Sequence, residues 1–208
     1  MPRLAPVALL GALLTAGCSV FGGRAAPEPE YTVLHAEPPF EIREYPALTV
    51  ARTTAEGDRD RAVSRGFGRL FDYISGDNEG AEDIAMTAPV TSEPASEEIA
   101  MTAPVLTEDE AGGWQVSFIL PEGMTAETAP RPTDPEVEIA TLPARKVAAV
   151  TFSGFLGEAK IAAQRRRLAD WLGTRPEEIA GDWQVAGYNP PWTLPWFRRN
   201  EVLVPVAD

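Results

Sequence analysis

From Glu41 to Gly57 the chain reads E-I-R-E-Y-P-A-L-T-V-A-R-T-T-A-E-G, and from Glu138 to Gly154 it reads E-I-A-T-L-P-A-R-K-V-A-A-V-T-F-S-G. Aligned without a gap at an offset of 97, the stretches agree at eight of seventeen positions, where ordinary residue usage gives about one match. The agreements are Glu41/Glu138, Ile42/Ile139, Pro46/Pro143, Ala47/Ala144, Val50/Val147, Ala51/Ala148, Thr54/Thr151 and Gly57/Gly154. A duplicated structural unit is the economical explanation.

Each copy reads as a half-buried strand, with Ile42, Leu48 and Val50 alternating with polar neighbours in the first. Each is followed by a helix-period segment that ends at glycine. After Gly57, Val63, Phe67, Leu70, Phe71 and Ile74 share one helical face, with Asp58 as the cap and Gly76 as the stop. After Gly154, Ile161, Leu168, Trp171 and Leu172 do the same, stopped by Gly173. Beyond the helices I-A-M-T-A-P-V (84–90) faces V-A-G-Y-N-P-P (185–191), so each half reads strand, helix, strand.

At 208 residues and 44% hydrophobic content the chain can bury one sizeable core. A net charge of -13 argues against a nucleic-acid partner, because phosphate backbones would be repelled. Residues 1–17 read as a secretory signal: Arg3 precedes the apolar run Leu4 to Ala16, which is too short to span a bilayer comfortably. Thr15-Ala16-Gly17-Cys18 is similar to the bacterial lipobox, in which the cysteine is lipidated and becomes the new N-terminus. An ordinary cleaved signal followed by a free thiol is the alternative. Cys18 is the only cysteine, which excludes an internal disulfide and gives lipidation the advantage over an idle thiol in an oxidising compartment. The expectation is an anchor at Cys18, Ser19 directing retention in the outer membrane, and residues 18–30 as a flexible tether on the periplasmic side.

Within the folded part, Tyr31 to Leu34 is a strand candidate and Pro38-Pro39 a turn. I-A-M-T-A-P-V occurs twice, at 84–90 and 99–105, and the copies read as neighbouring strands. Trp114 to Leu120 is a further strand, and the proline-rich stretch 121–135 an irregular loop.

E-I-R-E-Y-P-A (41–47), G-F-x-x-L-x-x-Y-I-x-G-x-N (66–78), I-A-M-T-A-P-V, P-R-P-x-D-P-x-V (130–137) and Y-N-P-P-W-T-L-P-x-x-R-R-N-E-V (188–202) span nearly all of residues 31–206. In these pieces the chain resembles the SOUL family of haem-binding proteins. The resemblance implies an α+β fold in which duplicated halves build a distorted antiparallel barrel or curved sheet with two helices, similar to the gyrase-inhibitor-like effector-binding fold. It makes 31–208 one SOUL-like haem-binding domain with its repeat at about 31–120 and 130–206. It also implies haem or another tetrapyrrole, or a different small hydrophobic ligand, in an apolar cleft beside the first helix.

The site residues expected on this reading are Val63, Phe67 and Phe71 on the first helix, with Trp192 and Trp196 as further aromatic contacts and Arg198 and Arg199 holding propionates. Two plainer readings stay open: Phe67 and Phe71 as core packing, and R-R-N-E as paired charges opening the last strand. His35 is the only histidine and sits nine residues before Glu44, where the resemblance places an axial histidine, so no iron ligation is expected. Asp72 and Leu194 stand where haem-binding relatives carry cations. Arg61, Arg65 and Arg69 lie opposite the apolar stripe and read as a solvated row. No nucleophile, phosphate-loop or metal-ligand motif stands out, so the expectation is a binding protein, with a structural or partner-binding envelope protein as the alternative.

Overall fold

The computed structural model describes residues 26–80, 96–110 and 113–207. The signal, Cys18 and the first I-A-M-T-A-P-V copy lie outside the described residues. Strands β1 (Thr32–Glu37) and β2 (Phe40–Tyr45) form a hairpin, and β3 (Leu48–Ala55) leads into α1 (Arg59–Ile74). Then come β4 (Asn78–Glu79), β5 (Val105–Glu110), β6 (Gly113–Ile119) and β7 (Arg131–Pro132), which pairs with β4. The second half is β8 (Glu138–Leu142), β9 (Arg145–Phe152), α2 (Glu158–Leu172), β10 (Glu178–Ile179), β11 (Gln184–Gly187) and β12 (Asn200–Ala207). A 3-10 turn, Pro195–Phe197, precedes the last strand.

The main sheet runs β1-β2-β9-β12-β11-β5-β6-β3-β8, antiparallel throughout, with β10 pairing the end of β12. It is curved but not closed. Exchanging β2 with β8, β3 with β9, β5 with β11 and β6 with β12 maps the order from β2 to β8 onto itself, so a pseudo-twofold axis passes between β5 and β11. Each half places its first strand in the other: β2 pairs with β9 and β8 with β3. The repeat therefore holds two strands rather than one, because Pro46-Ala47 and Pro143-Ala144 interrupt the ladder at equivalent places. Gly57 and Gly154 turn each second strand toward its helix at φ 109° and 107°, a left-handed conformation that excludes most other residues.

The sheet's strands alternate between two faces. One carries both helices: Ala148, Val150, Val202 and Val204 meet Ile161, Leu168 and Leu172 of α2, while Ala51, Val116 and Phe118 meet Leu70, Tyr73 and Ile74 of α1. The opposite face buries Tyr45, Val50, Val147, Ala149, Tyr188 and Leu203. The Asp58 cap accepts from the Arg61 amide at 3.1 Å.

Three readings need correction. The second I-A-M-T-A-P-V copy is irregular until Val105, where β5 begins. Pro27 and Glu28, read as part of the tether, are held on the body: the Ala103 amide donates to the Pro27 carbonyl at 2.8 Å, and Glu28 pairs with Arg199 at 2.9 Å. Arg69 is not solvated, since it reaches Thr53 and the Thr54 carbonyl and pairs with Glu136.

Helix α1 lies close to the sheet at Gly66, where a Cβ would stand 2.7 Å from Cγ2 and 3.0 Å from Cβ of Val116. Alanine gains about 1 kcal/mol of helix propensity over glycine, but overpacking costs about 1–3 kcal/mol, and Val116 is fully buried and β-branched. Gly66→Ala is expected to lose about 1–2 kcal/mol in urea unfolding. An unchanged or higher midpoint would show that α1 can lift from the sheet at no cost.

Candidate functional site

Helix α1 packs mainly on β3 and β6, and α2 on β9 and β12, so β5 and β11 lie between the two helices, with Thr107 and Val185 buried at the axis. The seam between the helices over these two strands is the candidate valley, and Leu156 closes over Gly187 at one end of it. Its α1 wall is aromatic. Phe67 stacks on Phe71 at 6.1 Å and meets Phe118 of β6 edge-on at 5.2 Å; Val63, Phe67 and, from β5, Val105 pack half-buried against the same core. Phe71 remains 46% exposed. Arg69 leaves α1 on the other flank toward β3, so the Val63–Phe67–Phe71 edge faces the valley. Phe67 thus serves both as core and as wall.

The remaining expected contacts form a second group on the loop between β11 and β12. Trp192, Trp196 and Phe197 are exposed there, with exposed Phe155 across from them. Arg198 is spent on this loop's own backbone: its Nε donates to the Thr193 carbonyl at 2.8 Å and Nη2 to Pro191 at 2.5 Å, with the guanidinium 5.1 Å from the Phe155 ring. The two groups meet at the turn before α2, where the Gly154 amide donates to the Pro195 carbonyl and Arg59 of α1 donates to the Leu156 carbonyl at 3.0 Å.

Arg199 points to the helix-free face and belongs to a buried ion network. Glu201 has no exposure and accepts from Arg43 Nη1 and Nη2 at 2.7 and 3.0 Å, Arg199 Nη2 at 2.7 Å, the Tyr188 hydroxyl at 2.6 Å and Thr151 at 3.2 Å. Arg43 also donates to Glu41 and lies 4.5 Å from the Tyr31 ring. The paired-charge reading of R-R-N-E is the one realised. Burial alone would push the Glu201 carboxyl up, but the hydrogen bond and charge of Arg43, then Arg199 and Tyr188, hold it down to about 2. Burial, then the Glu201 charge, push the Tyr188 phenol well above its ordinary range, so Tyr188 stays a donor.

The same face has a groove of about 590 Å³ between Pro27–Glu30, Leu48, Thr102 and the loop Pro121 to Met124. The charged groups lining it are Glu28, Glu30 and Glu122, an unsuitable surround for a dianionic ring. His35 is exposed on edge strand β1, 6.2 Å from Trp171 on the outer flank of α2, at the far end of the strand order from α1. Among the described residues no three His, Cys, Asp or Glu side chains gather as metal ligands. The valley's residues therefore fit the ring of a tetrapyrrole by apolar contact, and they do not fit histidine ligation of its iron.

Sequence reasoning missed Arg59 and Arg165. Arg59 precedes Val63 by one turn, and Arg165 interrupts the stripe Ile161, Leu168, Leu172; a cation at an apolar stripe position was the available signal.

A duplicated α+β sheet with two helices on one face and a valley over its axis is the architecture of effector-binding-like folds. The solved structure of the EcmrR C-terminal domain shares it, with a TM-score of 0.55 at 13% identity over 86% of this chain and 98% of that one. The family model described as SOUL heme-binding protein matches residues 26–96 and 91–205. Heme-binding protein 2 of Homo sapiens is 34% identical over 169 residues, covering 78% of this chain and 76% of that protein; Heme-binding protein 1 of Xenopus tropicalis is 29% identical over 78% and 81%. The chain belongs to the SOUL heme-binding family.

Because the folded carboxyl of Glu201 titrates near 2 against an ordinary 4.5, its stabilisation is complete above about pH 4.5 and is lost as pH falls toward 2. Glu201→Gln takes the shared carboxylate from the buried Arg43 and the half-buried Arg199, and breaking a buried pair commonly costs about 3–5 kcal/mol. The variant is expected to unfold at lower urea at pH 7 and to lose part of the acid limb. Equal stability at pH 7 would remove the network from any structural role.

Proposed function

We propose that the chain is a lipid-anchored envelope protein that binds a tetrapyrrole, or a similar flat hydrophobic ligand, in the valley beside α1. The observation that carries this reading is the Phe67–Phe71–Phe118 step, whose outer ring stays half exposed at the edge of the seam between the helices. Membership of a heme-binding family supports the ligand class, and the aromatic edge of α1 has the apolar character of a ligand cleft wall. Affinity comes from ring burial, with no role for His35. Anchoring rests on Thr15 to Cys18. Seven residues separate Cys18 from Ala26, where the chain already lies on the body, so the tether spans at most about 25 Å and holds the domain against the outer membrane facing the periplasm. The exposed aromatic loop around Trp192 and Trp196 favours the alternative, a partner-binding envelope protein without a small ligand.

Hemin titration separates these readings. The wild type and His35→Ala are expected to bind alike, and Phe67→Ala/Phe71→Ala at least tenfold more weakly with its fold retained, since truncating an aromatic anchor commonly costs about 2 kcal/mol or more. Loss of binding in His35→Ala overturns the coordination-free mode, and a wild type that binds no hemin moves the protein to the partner-binding class. For the anchor, Cys18→Ser is expected to shift the protein out of the membrane fraction or leave it unprocessed. An unmodified Cys18 on a freely soluble protein rejects lipidation.

A further inference from the structure

Arg59, Val63, Phe67 and Phe71 follow one another at four-residue steps along α1, so the aromatic ridge begins with a cation about 12 Å from Phe67. Arg59 is only 6% exposed. Its guanidinium lies 5.7 Å from the Trp114 ring and donates to the Leu156 carbonyl, while its nearest counter-charge, Asp60 at 3.4 Å, is 91% exposed. The second arginine comes from the other half of the repeat. Helix α2 presents Arg165 one turn after Ile161, on the flank opposite Arg167, whose guanidinium lies over Phe40 of β2 at the outer side; Arg165 therefore faces the valley. Its charge is felt at Arg59, so the two walls differ in chemistry: aromatic beyond Arg59 on α1, cationic on α2.

Both arginines carry a buried Nε with no hydrogen-bond acceptor. Burial, together with the repulsion of Arg165, lowers the affinity of Arg59 for its proton, and the carboxylates acting against this are Asp60 and Glu158, both exposed. Two partly desolvated like charges with only exposed counter-charges are a costly arrangement unless an anion joins them. By contrast, Arg43, Arg199, Arg52 and Arg175 each hold a carboxylate at 2.7–3.2 Å. The overall charge of -13 makes a local cationic pair the more distinctive.

Resting on the tetrapyrrole reading, we infer that Arg59 and Arg165 form the anion end of the valley, taking the carboxylate groups of a flat ligand whose apolar face lies on Phe67 and Phe71. Guanidinium suits this task because its planar donors match a carboxylate bidentately. Arg198 and Arg199, expected from sequence to hold those groups, are already committed to the backbone and to Glu201 and Glu28. The ligand is thereby oriented, with carboxylates toward the start of both helices and its apolar edge toward Phe71.

The test titrates the full chain with protoporphyrin IX, which carries two free carboxylates, and with its dimethyl ester, which carries none. The wild type is expected to prefer the diacid at least tenfold. Arg165→Met, at a half-buried position, is expected to reduce that preference at least fivefold while binding the ester as before, which also shows that it folds; Arg59→Lys is expected to keep part of the preference. Equal wild-type affinity for acid and ester overturns the inference, as does an undiminished preference in Arg165→Met. If the wild type binds neither porphyrin, the tetrapyrrole reading fails by itself. The anion site is then decided by thermal unfolding in succinate, where stabilisation of the wild type and not of Arg165→Met upholds it and no stabilisation of the wild type rejects it.

Discussion

The guanidinium of Arg43 lies flat against the carboxylate of Glu201, joining β2 of the first half to β12 of the second at a point with almost no solvent. Neither charge could be buried alone, because an unpaired ion in the interior costs several kcal/mol. The pair therefore requires both halves to be in register, and strand exchange provides this: β2 lies beside β9, which lies beside β12. Arg199, Tyr188 and Thr151 fill the remaining acceptor sites on Glu201, and Tyr31 and Glu28 bring the N-terminal arm down over the network. One carboxylate thus fixes the strand order, the last loop and the arm together.

Duplication gave both halves the same backbone and left the side chains free to diverge. Pro-Ala breaks and left-handed glycines recur at equivalent points, yet the outer flank of α2 stacks Trp171 on Phe40 at 5.1 Å while the outer flank of α1 carries the Arg69–Glu136 pair. Toward the axis the contrast is reversed, with phenylalanines on α1 and arginine on α2. A symmetric scaffold with asymmetric walls is suited to holding a ligand that is itself apolar at one end and charged at the other.

Much of this was legible in the sequence. The repeat at an offset of 97 carried the symmetry, because backbone-determining residues such as Gly57 and Pro46 are the ones a duplicated fold must keep. Strand β6 and both helices followed from periodicity. The tether's end was not legible: Pro27 and Glu28 look like linker, and only the partners Ala103 and Arg199, far away in the chain, show otherwise. Nor could Glu201 be assigned, since the same four letters R-R-N-E serve equally as a surface pair or a buried network, and burial is a tertiary property. Arg59 and Arg165 were hidden for a related reason: within charged runs they look solvated, and it takes the packing of two separate helices to desolvate them.

The two faces of the sheet differ in what they leave unsatisfied. On the helix-free face every acceptor position of Glu201 is used, and the adjoining groove is ringed by carboxylates that would repel an acidic ligand. On the helix side, aromatic surface stays half exposed and two buried guanidinium nitrogens lack acceptors. Binding free energy is available only where the apoprotein has not already collected it. A flat acid would gain little on the first face, where it must displace existing partners, and would gain on the second both ring burial and the pairing of charges that the fold has desolvated. For the proposed ligand, the valley beside α1 is where this chain has interaction left to give.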